Sequence, residues 1–384
     1  MSKIIFNSTL HLGVGSTHEL AREIKNRHYE KAFVITDNGL IRAGVAQKVL
    51  NILVQAKIPS VLFTDVTPEA TVRDVKNAYN ELKRSAADFI LAIGGGSPID
   101  TAKAISVIAN NPKYEDVVSL QGEKNNLNEP MPVIAVPTTA GSAAEVSKSF
   151  VVNDAVTEKN IICKNDKMLP VAVFIDADLM TTMPDIVTLG SGFDAFTHAV
   201  ESLISKNANL FSKTLSKEAI RIVAQNLPLS YDEPENIIAR ENMGYAEYIA
   251  GLAYSNSGLG ICHSMAHAIS GKFGVPHGIA LAMCLPAALK FNMYSESAAE
   301  YKFIAEALGV NTNGLSEQEV CRAAIRAVEK FRNDFNVPKH LSDYGVHEED
   351  LDILALHAYE DPCTAGNPRE VTVADIYMIL KKLL

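Results

Sequence analysis

Asp88-Phe-Ile-Leu-Ala-Ile-Gly-Gly-Gly-Ser-Pro-Ile-Asp-Thr-Ala-Lys103 joins a short apolar run to three glycines and the start of a helix. The run up to Ile93 shows no polar alternation, so it reads as a strand buried on both faces, the kind found in parallel sheets. The glycines let the backbone come close to a ligand. Pro98 suits the first turn of a helix, whose unbonded N–H groups attract phosphate. Around this unit the same pattern repeats. Lys31–Thr36, Ser60–Thr64 and Pro132–Val136 are further short runs rich in apolar and β-branched residues. Gly44–Gln55 and Thr71–Ala86 lie between them as amphipathic segments long enough for crossover helices. Such alternation predicts an open, mostly parallel α/β sheet whose ligands sit beyond the carboxyl ends of the strands.

Past Phe174-Ile-Asp-Ala-Asp178 the alternation stops. From Asp185 the apolar spacing is helical, through Thr214–Ala224, Met243–Tyr254, Tyr301–Leu308 and Glu317–Phe331. The expected organisation is therefore an α/β dinucleotide-binding domain over residues 1–182 and an all-α metal-binding domain over 183–384. A chain of 384 residues is long for one core, which agrees with two domains. Its 47% hydrophobic and 21% charged residues are an ordinary globular balance, so disorder is not expected. A net charge of −10 without clustered Lys and Arg argues against nucleic acid as a partner. The longest apolar runs, such as Ile279–Leu289, are shorter than the ~20 residues that span a bilayer, so no membrane partner is expected either. The start of the chain shows no signal-peptide pattern, and its five scattered cysteines form no C-x-x-C pair. Free thiols in a reducing cytoplasm are the expectation.

Gly94, Gly95, Gly96 and Ser97, with Asp100 in the helix that follows, are the candidate cofactor contacts of the first half. The loop is not G-x-G-x-x-G and follows a later strand than the usual dinucleotide fingerprint, and a triple glycine also makes a plain tight turn. Gly13-Val-Gly15 reads as such a turn. Asp37 closes the strand through Thr36. There it can accept from both hydroxyls of an adenosine ribose and repel a 2′-phosphate, favouring NAD over NADP, or it can cap the segment at Asn38-Gly39. Thr138, Thr139 and Ser142 follow the strand through Val136 and offer hydroxyls to phosphate or nicotinamide. Glu145 stands where an acid caps a helix, and the hydroxyls could equally serve that cap.

The second half carries metal-binding chemistry. Asp194 and His198 are four residues apart, as are His263 and His267, so on helices each pair projects from one face. Pro276-His277-Gly278 adds another imidazole. A lone histidine on an amphipathic helix is ordinarily a packed or surface residue. Here four of the ten histidines cluster with an aspartate among apolar neighbours, where an unpaired carboxylate is costly to bury. One carboxylate with two or three imidazoles suits a borderline divalent ion such as Fe(II) or Zn(II).

Taken together, Gly94–Lys103, Pro137–Glu145, Phe174–Met183, Gly192–Glu201, Gly258–Gly278 and Cys363–Glu370 give the chain a resemblance to the iron-activated (group III) alcohol dehydrogenases over nearly its whole length. The resemblance implies metal ligands at Asp194, His198, His263 and His277, with His267 near nicotinamide and substrate. An imidazole in that place is the candidate proton relay, or else it orients the ligands beside it. It implies a pyrophosphate loop at Gly95, Gly96 and Ser97, cofactor threonines at Thr138 and Thr139, and NAD preference at Asp37. A lysine that reaches the cofactor ribose in relatives aligns with Asn160 here, with Lys159 and Lys164 nearby. The implied activity is hydride transfer between a small primary alcohol or diol and its aldehyde, foremost of the 1,2-propanediol and lactaldehyde type. It uses NAD(H) and one divalent ion, Fe(II) favoured and Zn(II) possible. 1,3-Propanediol or ethanol is the alternative substrate, and a homodimer or larger homo-oligomer is implied. A nucleotide- and metal-binding sensor without turnover is the competing class, and consumption of NADH with short aldehydes separates the two.

Overall fold

In the computed structural model, which describes residues 3–6, 9–157 and 159–384, the chain separates into two compact units. One comprises Ile5–Pro184 with Glu233–Tyr245, and the other Asp185–Asp232 with Ala246–Leu384 and the N-terminal residues up to Ile4. The segment Glu233–Tyr245, expected among the helices of the second half, belongs to the sheet unit. Close packing explains this: a Cβ on Gly244 would sit 2.8 Å from the Ile175 side chain.

The sheet unit is built on six parallel strands lying in the order Leu10–Leu12, Ala172–Ile175, Val133–Pro137, Phe89–Gly94, Ala32–Ile35 and Ser60–Phe63. These are β1 (Leu10–Leu12), β2 (Ala32–Ile35), β3 (Ser60–Phe63), β4 (Phe89–Gly94), β6 (Val133–Pro137) and β9 (Ala172–Ile175). The central strands β2, β4, β6 and β9 are buried throughout, which is why they read as continuous apolar runs. Helices α1 (Leu20–Asn26), α2 (Asn38–Arg42), α3 (Val45–Gln55), α4 (Val72–Ser85) and α5 (Gly96–Asn110) make the crossovers. From β2 the chain steps outward to β3, and from β4 it steps the other way to β6 and β9. The strand order therefore reverses between β2 and β4, the place where open α/β sheets bind ligands.

The hydroxyl-bearing loop after β6 does not lead into a helix. It runs into β7 (Ser149–Asp154), which pairs antiparallel with β8 (Lys159–Lys164); β5 (Gly122–Glu123) completes a second, three-stranded sheet. Along β7, and in the middle of β8, buried positions alternate with half-buried ones, so one face covers the core. Glu145 therefore caps no helix; it is fully buried in the loop.

The second unit holds α6 (Asp185–Ile204), α7 (Leu210–Asp232), the end of α8 (Ile237–Ser255), α9 (Ile261–Phe273), α10 (His277–Asn292), α11 (Tyr301–Ala307), α12 (Glu317–Asp334), α13 (Leu351–Glu360) and α14 (Val373–Lys381). No strand occurs in it among the described residues. Two glycines set the distance between α6 and α10: a Cβ on Gly278 would lie 1.9 Å from the carbonyl oxygen of Gly190. Backbone therefore packs on backbone at the start of α10, drawing His277 up to α6. Gly278→Ala is expected to lower stability by more than about 3 kcal/mol, because main chain cannot rotate away as a side chain can. Gly274→Ala, at φ 65° with open space around it, should cost only about 1 kcal/mol for its left-handed backbone. Thermal melting of the two variants checks the contrast; equal melting temperatures would refute the close-approach argument.

Candidate metal centre and cofactor loops

Helix α6 presents Asp194, His198 and Glu201 at positions i, i+4 and i+7, along one face. Helix α9 presents His263 and His267, and His277 is the first residue of α10. The structure brings one carboxylate oxygen to their centre. Asp194 Oδ1 lies 3.4 Å from His198 Nδ1, 3.6 Å from His263 Nε2 and 3.9 Å from His277 Nε2. Neither Asp194 Oδ1 nor His263 Nε2 has a hydrogen-bond partner, although both are buried. An orphaned carboxylate oxygen facing imidazole nitrogens calls for a cation. The spacing suits one: donors ~2.1 Å from an ion at tetrahedral corners stand roughly 3.4 Å apart.

Asp194, His263 and His277 form the tightest set, each offering an atom within 4.8 Å of the others. His198 stands to one side of that set, its ring stacked on Tyr254 at 4.3 Å and on His263 at 4.6 Å. His267 stacks on His277 at 5.1 Å and turns its Nδ1 to Asp361 Oδ2 at 2.8 Å.

Charge follows the same logic. Burial pushes the Asp194 carboxyl upward, offset in part by His263. Burial, with the neighbouring His267 and His263, holds His277 well below the usual imidazole range, so its lone pair is available. His263 differs. Burial opposes its charge, but the carboxylates of Asp194 and Glu201 prevail and hold it at about 9.

Two further carboxylates, Glu201 and Asp361, hold the imidazoles in place. Glu201 Oε2 lies 2.6 Å from His263 Nδ1, and the same carboxylate accepts from the backbone N–H groups of Cys262 and His263. It thus caps α9, whose N-cap Gly260 has no side chain to do so. Gly260 must be a glycine, since a Cβ would meet Glu201 at 2.8 Å and Asn367 at 2.9 Å. Asp361 accepts from His267 Nδ1 and from the Cys363 backbone N–H. Burial works against its charge, but the His267 imidazole and these hydrogen bonds hold it below the usual carboxylate range.

In the sheet unit, the glycine turn after β4 and the loop after β6 meet. Thr138 N–H donates to the Gly94 carbonyl at 3.0 Å. A Cβ on Gly95 would touch Thr139 Oγ1 at 3.0 Å, and one on Gly96 would touch Ser142 at 3.1 Å. Gly94, at φ 153°, leaves 2.5 Å between such a Cβ and the Pro98 ring. The N-cap of α5, Gly95, offers no side chain to the first turn. This is the form of an anion cradle. Ser97 Oγ donates outward to the Pro68 carbonyl, and Asp37 Oδ1 accepts from Leu40 N–H as the cap of α2, so each has a structural task. Asp100 faces away from the turn: its Oδ2 accepts from Val151 N–H on β7, and burial pushes its carboxyl up to about 6. One turn further on, buried Lys103 gives its ammonium to the carbonyls of Ala144, Ser147 and Ser149 and to Ser147 Oγ. Asp100 and Lys103 thus fasten the hydroxyl-bearing loop to the helix that begins at the glycines. On β8, Lys164 shares the face of Asn160 and Lys159 takes the other.

Residues 7–177 match the model of iron-containing alcohol dehydrogenases, and residues 188–384 match the C-terminal model of the same family. The chain belongs to the iron-containing alcohol dehydrogenase family. It is 39% identical over 375 residues to lactaldehyde reductase of Escherichia coli K12, covering 98% of this chain and 97% of the relative. To 1,3-propanediol dehydrogenase of Citrobacter freundii it is 36% identical, covering 91% and 90%. The crystal structure of a 1,3-propanediol oxidoreductase superposes with a TM-score of 0.96 at 32% identity, over 100% of both chains. The chain is accordingly an oxidoreductase of the alcohol dehydrogenase type. Its fold is the expected α/β unit with a parallel sheet, followed by a helical unit.

For a family named for its iron, the protonation of His263 has a consequence. A ligating imidazole must be neutral, so an ion taken up by this set would expel its proton. Apparent affinity of the metal-free protein should rise by about tenfold per pH unit and level off near pH 9. Glu201→Gln removes part of what holds the proton, so the plateau should come at lower pH while affinity falls by about 10–100-fold. Titrating cobalt into both proteins at several pH values checks this; a pH-independent wild-type affinity would contradict it.

Proposed function

We propose that the chain interconverts a small primary alcohol or diol and its aldehyde with NAD(H), 1,2-propanediol and lactaldehyde foremost. Asp194, His198, His263 and His277 hold the divalent ion, with Fe(II) favoured and Zn(II) accepted. One observation carries the reading: a buried carboxylate oxygen without a hydrogen-bond partner, ringed by three imidazole nitrogens at 3.4, 3.6 and 3.9 Å. The names of the relatives support the substrate class, being a lactaldehyde reductase, 1,3-propanediol dehydrogenases and a methanol dehydrogenase. 1,3-Propanediol and ethanol are the second choice.

When bound, the ion supplies a net charge of about +1 beside its one carboxylate, which polarises the substrate oxygen, and the nicotinamide accepts or returns hydride. This chain's residues do the rest. The glycine turn Gly94–Gly96 and the first turn of α5 at Ser97 cradle the pyrophosphate, with Thr138, Thr139 and Ser142 along its side. Asp37, which uses Oδ1 for its cap, has Oδ2 for a ribose hydroxyl and repels a 2′-phosphate. Asp100 acts behind the cradle as a fastener of the loop. Glu201 fixes His263 by its Nδ1. Asp361 holds the proton on His267 Nδ1, so His267 Nε2 is the atom that takes a proton from the alcohol or returns it. The enzyme works in the cytoplasm as a homodimer or larger homo-oligomer.

His263→Ala should remove both metal and turnover while NADH binding, followed by its fluorescence, persists. Turnover retained in metal-stripped buffer would end the reading. Asp37→Gly should raise the use of NADPH relative to NADH, checked by steady-state rates with each cofactor, and an unchanged ratio would leave Asp37 a cap alone.

A further inference from the structure

A second group of donors lies beside the first. His267, Asp361 and Cys363 each offer one ligand atom, an imidazole nitrogen, a carboxylate oxygen and a thiol sulfur, all within 4.8 Å of one another. Cys363 is the one cysteine of five that is not buried. The side chains of His267 and Asp361 keep 13% and 8% of their surface, so an ion can reach them. The donor set differs in kind from the Asp194 group. Nitrogen, oxygen and sulfur together suit a borderline-soft ion such as Zn(II), whereas Fe(II) gains less from the thiolate.

We propose that His267 Nδ1, Asp361 and Cys363 form a second, zinc-selective site that inhibits the enzyme when filled. The 2.8 Å between His267 Nδ1 and Asp361 Oδ2 is a hydrogen bond, and an ion between them needs roughly 3.3 Å or more. A small rotation of the His267 ring opens that gap. Asp361 stays where it is, held through Oδ1 by the Cys363 N–H at 2.8 Å. Filling the site moves the His267 proton from Nδ1 to Nε2, so that Nε2 no longer accepts one, expels the Cys363 thiol proton to solvent, and forms bonds to nitrogen, oxygen and sulfur. Asp361 and the thiolate neutralise the dication. The fourth position is left to water. Because His267 stacks on His277 at 5.1 Å and meets His263 at 6.1 Å, an ion on its Nδ1 immobilises the ring at the edge of the Asp194 group. The binding claim stands on the donor geometry alone. Inhibition rests on the proton role proposed for His267.

The test uses iron-loaded protein kept anaerobic and titrated with zinc, with iron and zinc content followed together. The wild type should take up one equivalent of zinc without losing iron, and cobalt in its place should show a thiolate-to-cobalt charge-transfer band. Turnover should fall as that equivalent binds. Cys363→Ser and Cys363→Ala should lose the extra equivalent, the cobalt band and the inhibition, with basal turnover near wild type. Retention of the extra zinc by both variants would overturn the site, as would zinc entering the wild type only in exchange for iron. Binding that depends on Cys363 but leaves turnover unchanged would support the site and remove the proton role from His267.

Discussion

A carboxylate cannot stay ionised inside a protein without a cation or hydrogen-bond donors, and the chain itself gives Asp194 Oδ1 no donor and, as a cation, only the protonated His263. Its Oδ1 is buried, accepts no hydrogen bond and faces imidazoles. Much of the helical unit follows from keeping that oxygen in reach of them. The backbone contact of Gly190 with Gly278 sets where His277 starts its helix. Glu201 ties the first turn of α9 to α6 and so sets where His263 points. The lack of a side chain at Gly278 and Gly260 is what allows these approaches. The glycines beside the histidines are structural requirements of the site, each excluded from change by a different neighbour.

The sheet unit solves a different problem, the placing of a loop without regular structure. Residues 138–148 have no ladder of their own, so their carbonyls need donors from elsewhere. Lys103 supplies them from within the core, and Asp100 takes up the Val151 N–H beside it. Burial draws the lysine down to about 8, against the pull of Asp100 and Glu145, so holding the loop has an electrostatic cost. The outcome is that Thr139 and Ser142 rest on the glycine turn whose helix would hold the pyrophosphate. One helix, α5, thus carries the cradle at its first turn and the clasp one turn later.

What the sequence disclosed follows the physics of each element. Strands β2, β4 and β6 were legible because burial on both faces leaves an unbroken apolar run. Three-residue β1, Leu-His-Leu, was not, since an edge strand so short takes its conformation from its pairing with β9. The alternating strands β7 and β8 carry a readable period of two, but the hydroxyl-rich loop before them, with Glu145 at its end, has the composition of a helix start as much as of a ligand loop. Among the site residues, spacing exposed the pairs on α6 and α9. Glu201 is seven residues beyond Asp194, at helical period, but a single acid at that spacing is also what a solvated helix face shows. Asp361 lies 94 residues from His267, and no local pattern can announce such a partner. Asp37, Ser97 and Asp100 were visible as residue types, while their hydrogen bonds to Leu40, Pro68 and Val151 emerged only in three dimensions.

The central claim is that a single ion is gripped by Asp194 and the surrounding imidazoles. Anomalous diffraction at the iron absorption edge, from crystals of protein loaded anaerobically with Fe(II), tests it most directly. The account predicts one strong peak roughly 2.0–2.2 Å from Asp194 Oδ1, His263 Nε2 and His277 Nε2, with His198 completing the set. A peak at other residues, or an iron-loaded protein whose Asp194 lacks a metal neighbour, would contradict it.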